Sequence, residues 1–234
     1  MRLGIMQPYL FPYLGYFQLL GSVDKFVVYD DVAFIKQGWI NRNRILANGR
    51  EYRFTVPLRK VSSFKRINEI EVDPRSFAKW LTPFLMTVEQ NYRRALYFEP
   101  VFELLKGVFE GFDGSIAGLT LRSIMATVKY LELRTPIVGS SGEYGNDQLA
   151  GAQRIIDVCK REGADEYVNP VGGCSLYARE EFSAHGIALR FIRSRPVMYP
   201  QFGARFTPDL SIIDVMMFNS PGQIGQLLRE YDIG

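Results

Sequence analysis

Apolar residues recur along this chain with two different periods, and the changes of period mark out its elements. Leu3 to Met6 is a short apolar run of the length of a buried strand, closed by Gln7-Pro8, and Gly15 to Val23 follows at helical spacing. Asp24 to Tyr29 is again a strand pattern and ends in the acidic pair Asp30-Asp31. Strand, helix and strand in succession predict a βαβ unit, with parallel strands joined by a right-handed crossover. Further on, Tyr52 to Leu58 and Ile67 to Val72 alternate apolar with polar residues, and Asn48-Gly49 supplies a hairpin turn. These segments predict an antiparallel section.

From Asp73-Pro74 the period becomes helical. Phe77, Trp80, Leu81, Phe84, Leu85, Val88 and Tyr92 fall at helical spacing, with Pro83 expected to kink or restart the helix. Two more helical patterns, Glu99 to Phe112 and Ser115 to Leu133, carry Phe-Leu-Val stripes that are core positions. A second βαβ-like block opens at Pro136-Ile137-Val138, crosses Gly139-Ser140-Ser141-Gly142 and enters a helix from Asp147 to Glu162, with Gly163 as its C-cap. The pattern ends with a strand at Glu166 to Asn169, a helix near Leu176 to Ala184, a strand at Ile187 to Ile192, and a helix over Asp209 to Phe218 preceded by Pro208. No repeat, low-complexity tract or linker interrupts it. The expected fold is α/β: a Rossmann-like parallel-core sheet with an antiparallel hairpin section, residues 1–234 forming one domain with a helical segment at about 73–133.

Composition narrows the function classes. With 234 residues, 47% of them hydrophobic, the chain can bury a full core. Cys159, Cys174 and the lone His185 are too few for a disulfide framework or a zinc cluster, so no metal is expected. No secretion signal and no membrane-spanning run is legible, so the expected location is the cytoplasm, without membrane insertion. A net charge of +3 is too small to argue for nucleic acid. The cations are nevertheless concentrated: Lys36, Arg42, Arg44, Arg50, Arg53, Arg59, Lys60, Lys65 and Arg66 all lie in the first third. That asymmetry fits a groove for an anionic small molecule such as a nucleotide-sugar, and fits a solvated face at least as well.

Six groups of residues hold candidate chemistry. The proline-stiffened run Gln7-Pro8-Tyr9 to Tyr16, with Tyr9, Tyr13 and Tyr16, lies at the carboxyl end of a strand, where open α/β sheets bind ligands. Asp30 and Asp31 follow the second strand, and either could take a proton from an amine. Lys36, Trp39, Asn41, Arg42 and Arg44 come next and could hold a polar substrate by stacking and hydrogen bonds. Ser140 and Ser141 sit in a small-residue loop that could cradle phosphate, although it matches neither of the common glycine-rich phosphate motifs. Gly172 and Gly173 would let a ligand approach the main chain, and Tyr199 and Gln201 belong to an arginine-bearing loop after another strand. A dyad of Cys174 and His185 has nothing in the sequence to bring its members together. Each of these segments also has a bland reading as a solvated or packing loop.

Together these segments resemble the WbqC-like family. The carrying residues are Ile5 to Phe17, Tyr29-Asp30-Asp31-Val32, Trp39-Ile40-Asn41-Arg42-Asn43-Arg44-Ile45, Gly172-Gly173 through Tyr177, and Tyr199-Pro200-Gln201 with Leu210-Ser211-Ile212-Ile213-Asp214. The resemblance implies association with bacterial surface-polysaccharide and O-antigen clusters and the transfer of an aminoacyl group, glycine in particular, onto an amino sugar. The opening from Met6 to Leu20 also looks like that of nucleotidyltransferase-type Rossmann folds, but Tyr13 and Tyr16 stand where their two turn histidines would fall. A tyrosine can donate to a phosphate yet carries no positive charge, so ATP enters only as one candidate source of activation.

The expected activity is amide formation between a small acyl or aminoacyl donor and the amine of a nucleotide-linked sugar. The expected partners are those small molecules. The alternative is a non-catalytic nucleotide-sugar-binding or scaffold protein of the same pathway.

Overall fold

The computed structural model describes residues 1–203 and 205–234. In chain order the elements are β1 (Arg2–Met6), α1 (Leu14–Ser22), β2 (Lys25–Val28), β3 (Arg42–Ala47), β4 (Arg50–Thr55), β5 (Leu58–Arg59), β6 (Glu71–Val72), α2 (Pro74–Tyr92), α3 (Phe98–Phe109) and α4 (Ile116–Tyr130). Then come β7 (Ile137–Val138), α5 (Gly151–Glu162), β8 (Glu166–Pro170), α6 (Arg179–Ser183), β9 (Ala188–Ser194), α7 (Ile212–Phe218), α8 (Pro221–Leu227) and β10 (Tyr231–Ile233). The main sheet runs β10-β9-β8-β1-β2-β7, parallel except for β10 on β9. From β1 the chain builds outward to β2 and β7, then returns to the other side of β1 for β8 and β9. The reversal between β1 and β8 is a topological switch point, the place where open α/β sheets bind ligands at their carboxyl edge.

Two apolar layers cover the sheet. Leu3, Ile5, Val27, Tyr167 and Leu189 pack with Ile155, Ile156 and Cys159 of α5 and Phe182 of α6. Phe26, Val28, Val168 and Ile192 face the opposite way, into the larger cluster that includes α1 and the α2–α4 helices. The β3–β4 hairpin turns at Asn48-Gly49, both with positive φ as that turn requires, and sends Ile45, Leu46 and Phe54 into the same cluster. Among the described residues no helix is long and apolar enough to cross a membrane.

Several boundaries differ from the periodicity. Residues 67–72 form one 3₁₀ turn (Ile67–Glu69) and the two-residue β6 rather than a full strand, because Ile67 and Asn68 give their amides to Val32 and Asp30 carbonyls. Helix α2 continues through Pro83. The proline is exposed on the surface, where the carbonyl it leaves unpaired can be hydrated. Helix α5 starts at Gly151, since Ser141–Tyr144 make a 3₁₀ turn and the Asn146 side chain is drawn to Arg154. Helix α7 starts at Ile212, capped by Ser211, with Asp209 left in a left-handed conformation (φ 55°).

The segment after β1 is buried although it is irregular, so each of its backbone groups needs a partner. Leu10 donates to the Ile40 carbonyl (3.2 Å) and Phe11 to Ser123 Oγ on α4 (3.1 Å). The Leu10 and Phe11 carbonyls accept from Asn43 Nδ2 (3.1 and 2.7 Å), and Phe11 also accepts from Ser211 Oγ (2.7 Å). Pro12 accepts from Ile212 N at 2.9 Å. These bonds hold Phe11 at φ 43°, a left-handed geometry that costs a non-glycine residue about 1–2 kcal/mol. Asn43→Ala leaves the Leu10 carbonyl without its donor and takes one of two donors from Phe11, and should lower unfolding free energy by roughly 1–3 kcal/mol, read by urea denaturation.

Candidate functional site

Parallel strands put their carboxyl ends on one edge, and most of the candidate residues collect there. At the end of β2 the two acids are both buried, at 6% and 5% exposure for Asp30 and Asp31, but they are engaged differently. Asp30 Oδ1 accepts from Ser140 Oγ (2.8 Å) and Ser141 N (3.1 Å). Its Oδ2 has no hydrogen-bond partner among the described residues. Burial, first, pushes the Asp30 carboxyl up from its ordinary value, and the neighbouring Asp31 charge adds to this, while the Ser140 and Ser141 hydrogen bonds pull the other way.

Asp31 is closed on both sides. Ser141 Oγ donates to one oxygen and the buried Arg154 guanidinium to the other. Arg154 is itself fixed by Asn146 Oδ1 (3.0 Å), which leans on Asp157, and it lies over the Tyr29 ring at 5.1 Å. Ser140 and Ser141, expected to face a phosphate, are thus spent on the acids of the neighbouring strand. Arg154 was not legible as a site residue, since an arginine in a helix ordinarily faces water.

The second group lies against the post-β1 loop through the Leu10–Ile40 and Asn43–Phe11 bonds. Trp39 is partly exposed and Arg44 lies over its ring at 5.2 Å. Arg44 also pairs with Glu51 (3.0 Å) and donates to the Asp209 carbonyl (2.9 Å). Asn41 spends its side-chain amide on the Val56 carbonyl (2.8 Å). Arg42 donates to the Gly38 carbonyl (2.8 Å) and has no acidic partner among the described residues. Desolvation, then the charge of Arg53, pulls its guanidinium down from its ordinary value. Lys36 is exposed. No hydrogen bond joins this group directly to Asp30 or Asp31 among the described residues.

A cleft of about 440 Å³ opens between the start of α1 and the chain after β9, lined by Tyr13, Ser194, Val197, Tyr199, Phe206 and Leu210 among others. Gly15 makes room here: a Cβ would fall 2.5 Å from the Tyr13 ring and 2.8 Å from Ser194 Oγ. Tyr199 and Gln201 hold the loop down. Their hydroxyl (2.8 Å) and amide (2.7 Å) both donate to Asp214 Oδ2, while Tyr92 donates to Oδ1 (2.6 Å). Asp214 is fully buried, and desolvation raises its carboxyl from the ordinary value. Tyr9 is half-buried with its hydroxyl pushed up to about 12 by burial, and Tyr16 is fully buried with no partner for its hydroxyl among the described residues. Gln7 follows β1 directly, and Gly172 and Gly173 lie in the 3₁₀ turn after β8. Cys174 is exposed, whereas His185 Nδ1 lies 3.1 Å from Lys160 Nζ, so nothing couples the two.

A mostly parallel α/β sheet with acids, carboxamides, tyrosines and guanidinium groups near its carboxyl edge defines a Rossmann-like α/β protein. The chain belongs to the WbqC-like protein family, whose model matches residues 7–226. It is similar to the uncharacterized protein Rv1507c of Mycobacterium tuberculosis (strain H37Rv), with 28% identity over 235 residues and 97% of each chain covered. No solved structure matches it.

The burial of the Arg154–Asp31 pair gives a direct test. Asp31→Ala leaves the guanidinium buried without a counter-charge and should cost roughly 3–5 kcal/mol in urea unfolding. The double variant with Arg154→Met should recover most of that loss, because two apolar groups replace the pair.

Proposed function

We propose that the protein forms an amide bond between a small activated acyl or aminoacyl donor, glycyl being one candidate, and the amine of a nucleotide-linked amino sugar, in the assembly of a bacterial surface polysaccharide. One observation carries this reading: Asp30 is a buried carboxyl at the sheet's carboxyl edge, raised from its ordinary value by burial, with one oxygen held by Ser140 and Ser141 and the other without a partner among the described residues. Such a group suits a general base. An ammonium must give up a proton before its nitrogen can attack, and Asp30 Oδ2 would receive it. The nitrogen then bonds to the acyl carbon as the leaving group departs with its electron pair.

Other roles follow from chemistry. Arg42, which lacks an acidic partner among the described residues, and Arg44 over Trp39 suit the diphosphate and base of a nucleotide-sugar, with Asn41 bracing their hairpin and Lys36 close in sequence. Tyr13 in the apolar cleft suits the acyl donor, together with Tyr9, and Gly172 leaves the main chain open to it; Tyr16, fully buried, packs beneath them. Asp31 acts as a positioning residue through Ser141. The acyl group would arrive as an adenylate made from ATP, as a thioester or as an aminoacyl-tRNA. The modest net charge argues least for the last.

Asp30→Asn keeps the shape and the serine contacts but cannot take a proton. Amide formation, followed by mass spectrometry with UDP-, GDP- and dTDP-linked amino sugars, should fall by about 10²–10⁴-fold while nucleotide-sugar binding persists. The working form of Asp30 is ionised, so the parent rate should fall as pH drops through its pKa. Because burial raises that pKa, the loss should begin at higher pH than for an exposed aspartate. Nucleotide-sugar binding with no new amide from any donor would instead favour the binding or scaffold protein.

A further inference from the structure

The carboxyl end of β8 carries Asn169, a residue to which the sequence gave no site role. Asn169 is 6% exposed, yet its carboxamide makes no hydrogen bond among the described residues. The buried side-chain polar atoms that lack a partner are Tyr16 Oη, Gln18 Oε1 and Arg44 Nε among those residues, so both polar atoms of Asn169 reach solvent. A nearly buried carboxamide whose donor and acceptor are unused and just open to solvent is placed to be completed by a ligand.

The surroundings are built around it. A Cβ at Gly173 would fall 2.2 Å from Asn169 Nδ2, so the absence of a side chain at 173 makes room for the carboxamide. Strand register brings in a second one. Leu3 of β1 lies beside Tyr167 of β8, and Leu3, Ile5 and Tyr167 pack into the same layer. Alternation therefore carries Asn169 to the face of Ile5, and Gln7, one step beyond, to that face at the end of β1. Gln7 is half-buried and its side chain also makes no hydrogen bond among the described residues. These two carboxamides flank the switch point between β1 and β8.

We propose that Asn169 and Gln7 form a carboxamide pair that reads the hydroxyl groups of the sugar ring, with Gly173 setting the position of Asn169. The inference rests on the nucleotide-sugar reading above and adds where the sugar lies. A neutral carboxamide offers a donor and an acceptor together, which adjacent hydroxyls match and a phosphate, with acceptors only, does not. The phosphates are left to the guanidinium groups of the hairpin.

The test compares UDP-, GDP- and dTDP-linked amino sugars with the matching nucleoside diphosphates by isothermal titration calorimetry on the intact protein. The parent should bind the sugar-linked form of its nucleotide more tightly than the bare diphosphate. Asn169→Ala and the near-isosteric Asn169→Asp should each weaken the sugar-linked ligand about tenfold, the weight of a lost hydrogen-bond pair, with diphosphate affinity unchanged. Gly173→Ala, which displaces the carboxamide without removing it, should do the same. Unaltered sugar affinity in these variants, or equal loss for both ligands, overturns the assignment and leaves the nucleotide-sugar reading standing. A parent that binds no sugar nucleotide overturns that reading and the assignment with it.

Discussion

The structure depends on how the buried chain after β1 satisfies its backbone. Two prolines and a run of aromatics cannot form a ladder or a helix there, so the polar groups from Leu10 to Pro12 must find partners elsewhere. They find them on three remote segments: Asn43 and Ile40 beside the hairpin, Ser123 on α4, and Ser211 and Ile212 at the start of α7. One irregular segment thereby ties the hairpin, the helical section and the C-terminal third to the switch-point edge of the sheet.

The same constraint governs the charged groups. Burial makes an isolated carboxylate costly, and each buried acid here meets that cost by its own route. Asp31 takes a guanidinium and a hydroxyl. Asp214 takes two tyrosine hydroxyls and a glutamine amide, which pin the loop over the cleft to α2 and α7. Asp30 takes a hydroxyl and a backbone amide on one oxygen only. Of the three, only Asp30 leaves a carboxylate oxygen without a hydrogen-bond partner among the described residues.

The cleft, the acids and the guanidinium hairpin are reached from different strands, and this spreads the candidate site along the carboxyl edge. Open parallel sheets bind ligands along this edge, where several segments can line one site. The match of the WbqC-like family model over residues 7–226 spans every one of those segments.

Much of the frame was legible in the chain itself. The apolar period distinguished strand from helix, Asn48-Gly49 marked the hairpin and Gly163 the end of α5, because each is a local demand on backbone geometry or on one face. The acids after β2 and the aromatics after β1 could likewise be placed at strand ends by counting. Partners could not. Whether Asp30 or Asp31 meets a cation, that Ser140 and Ser141 turn toward them, and that Asn169 stays unpaired over Gly173 depend on contacts between residues as many as 123 positions apart. Periodicity records which way a side chain faces along its own element, and only the packing of elements against one another decides what it meets there.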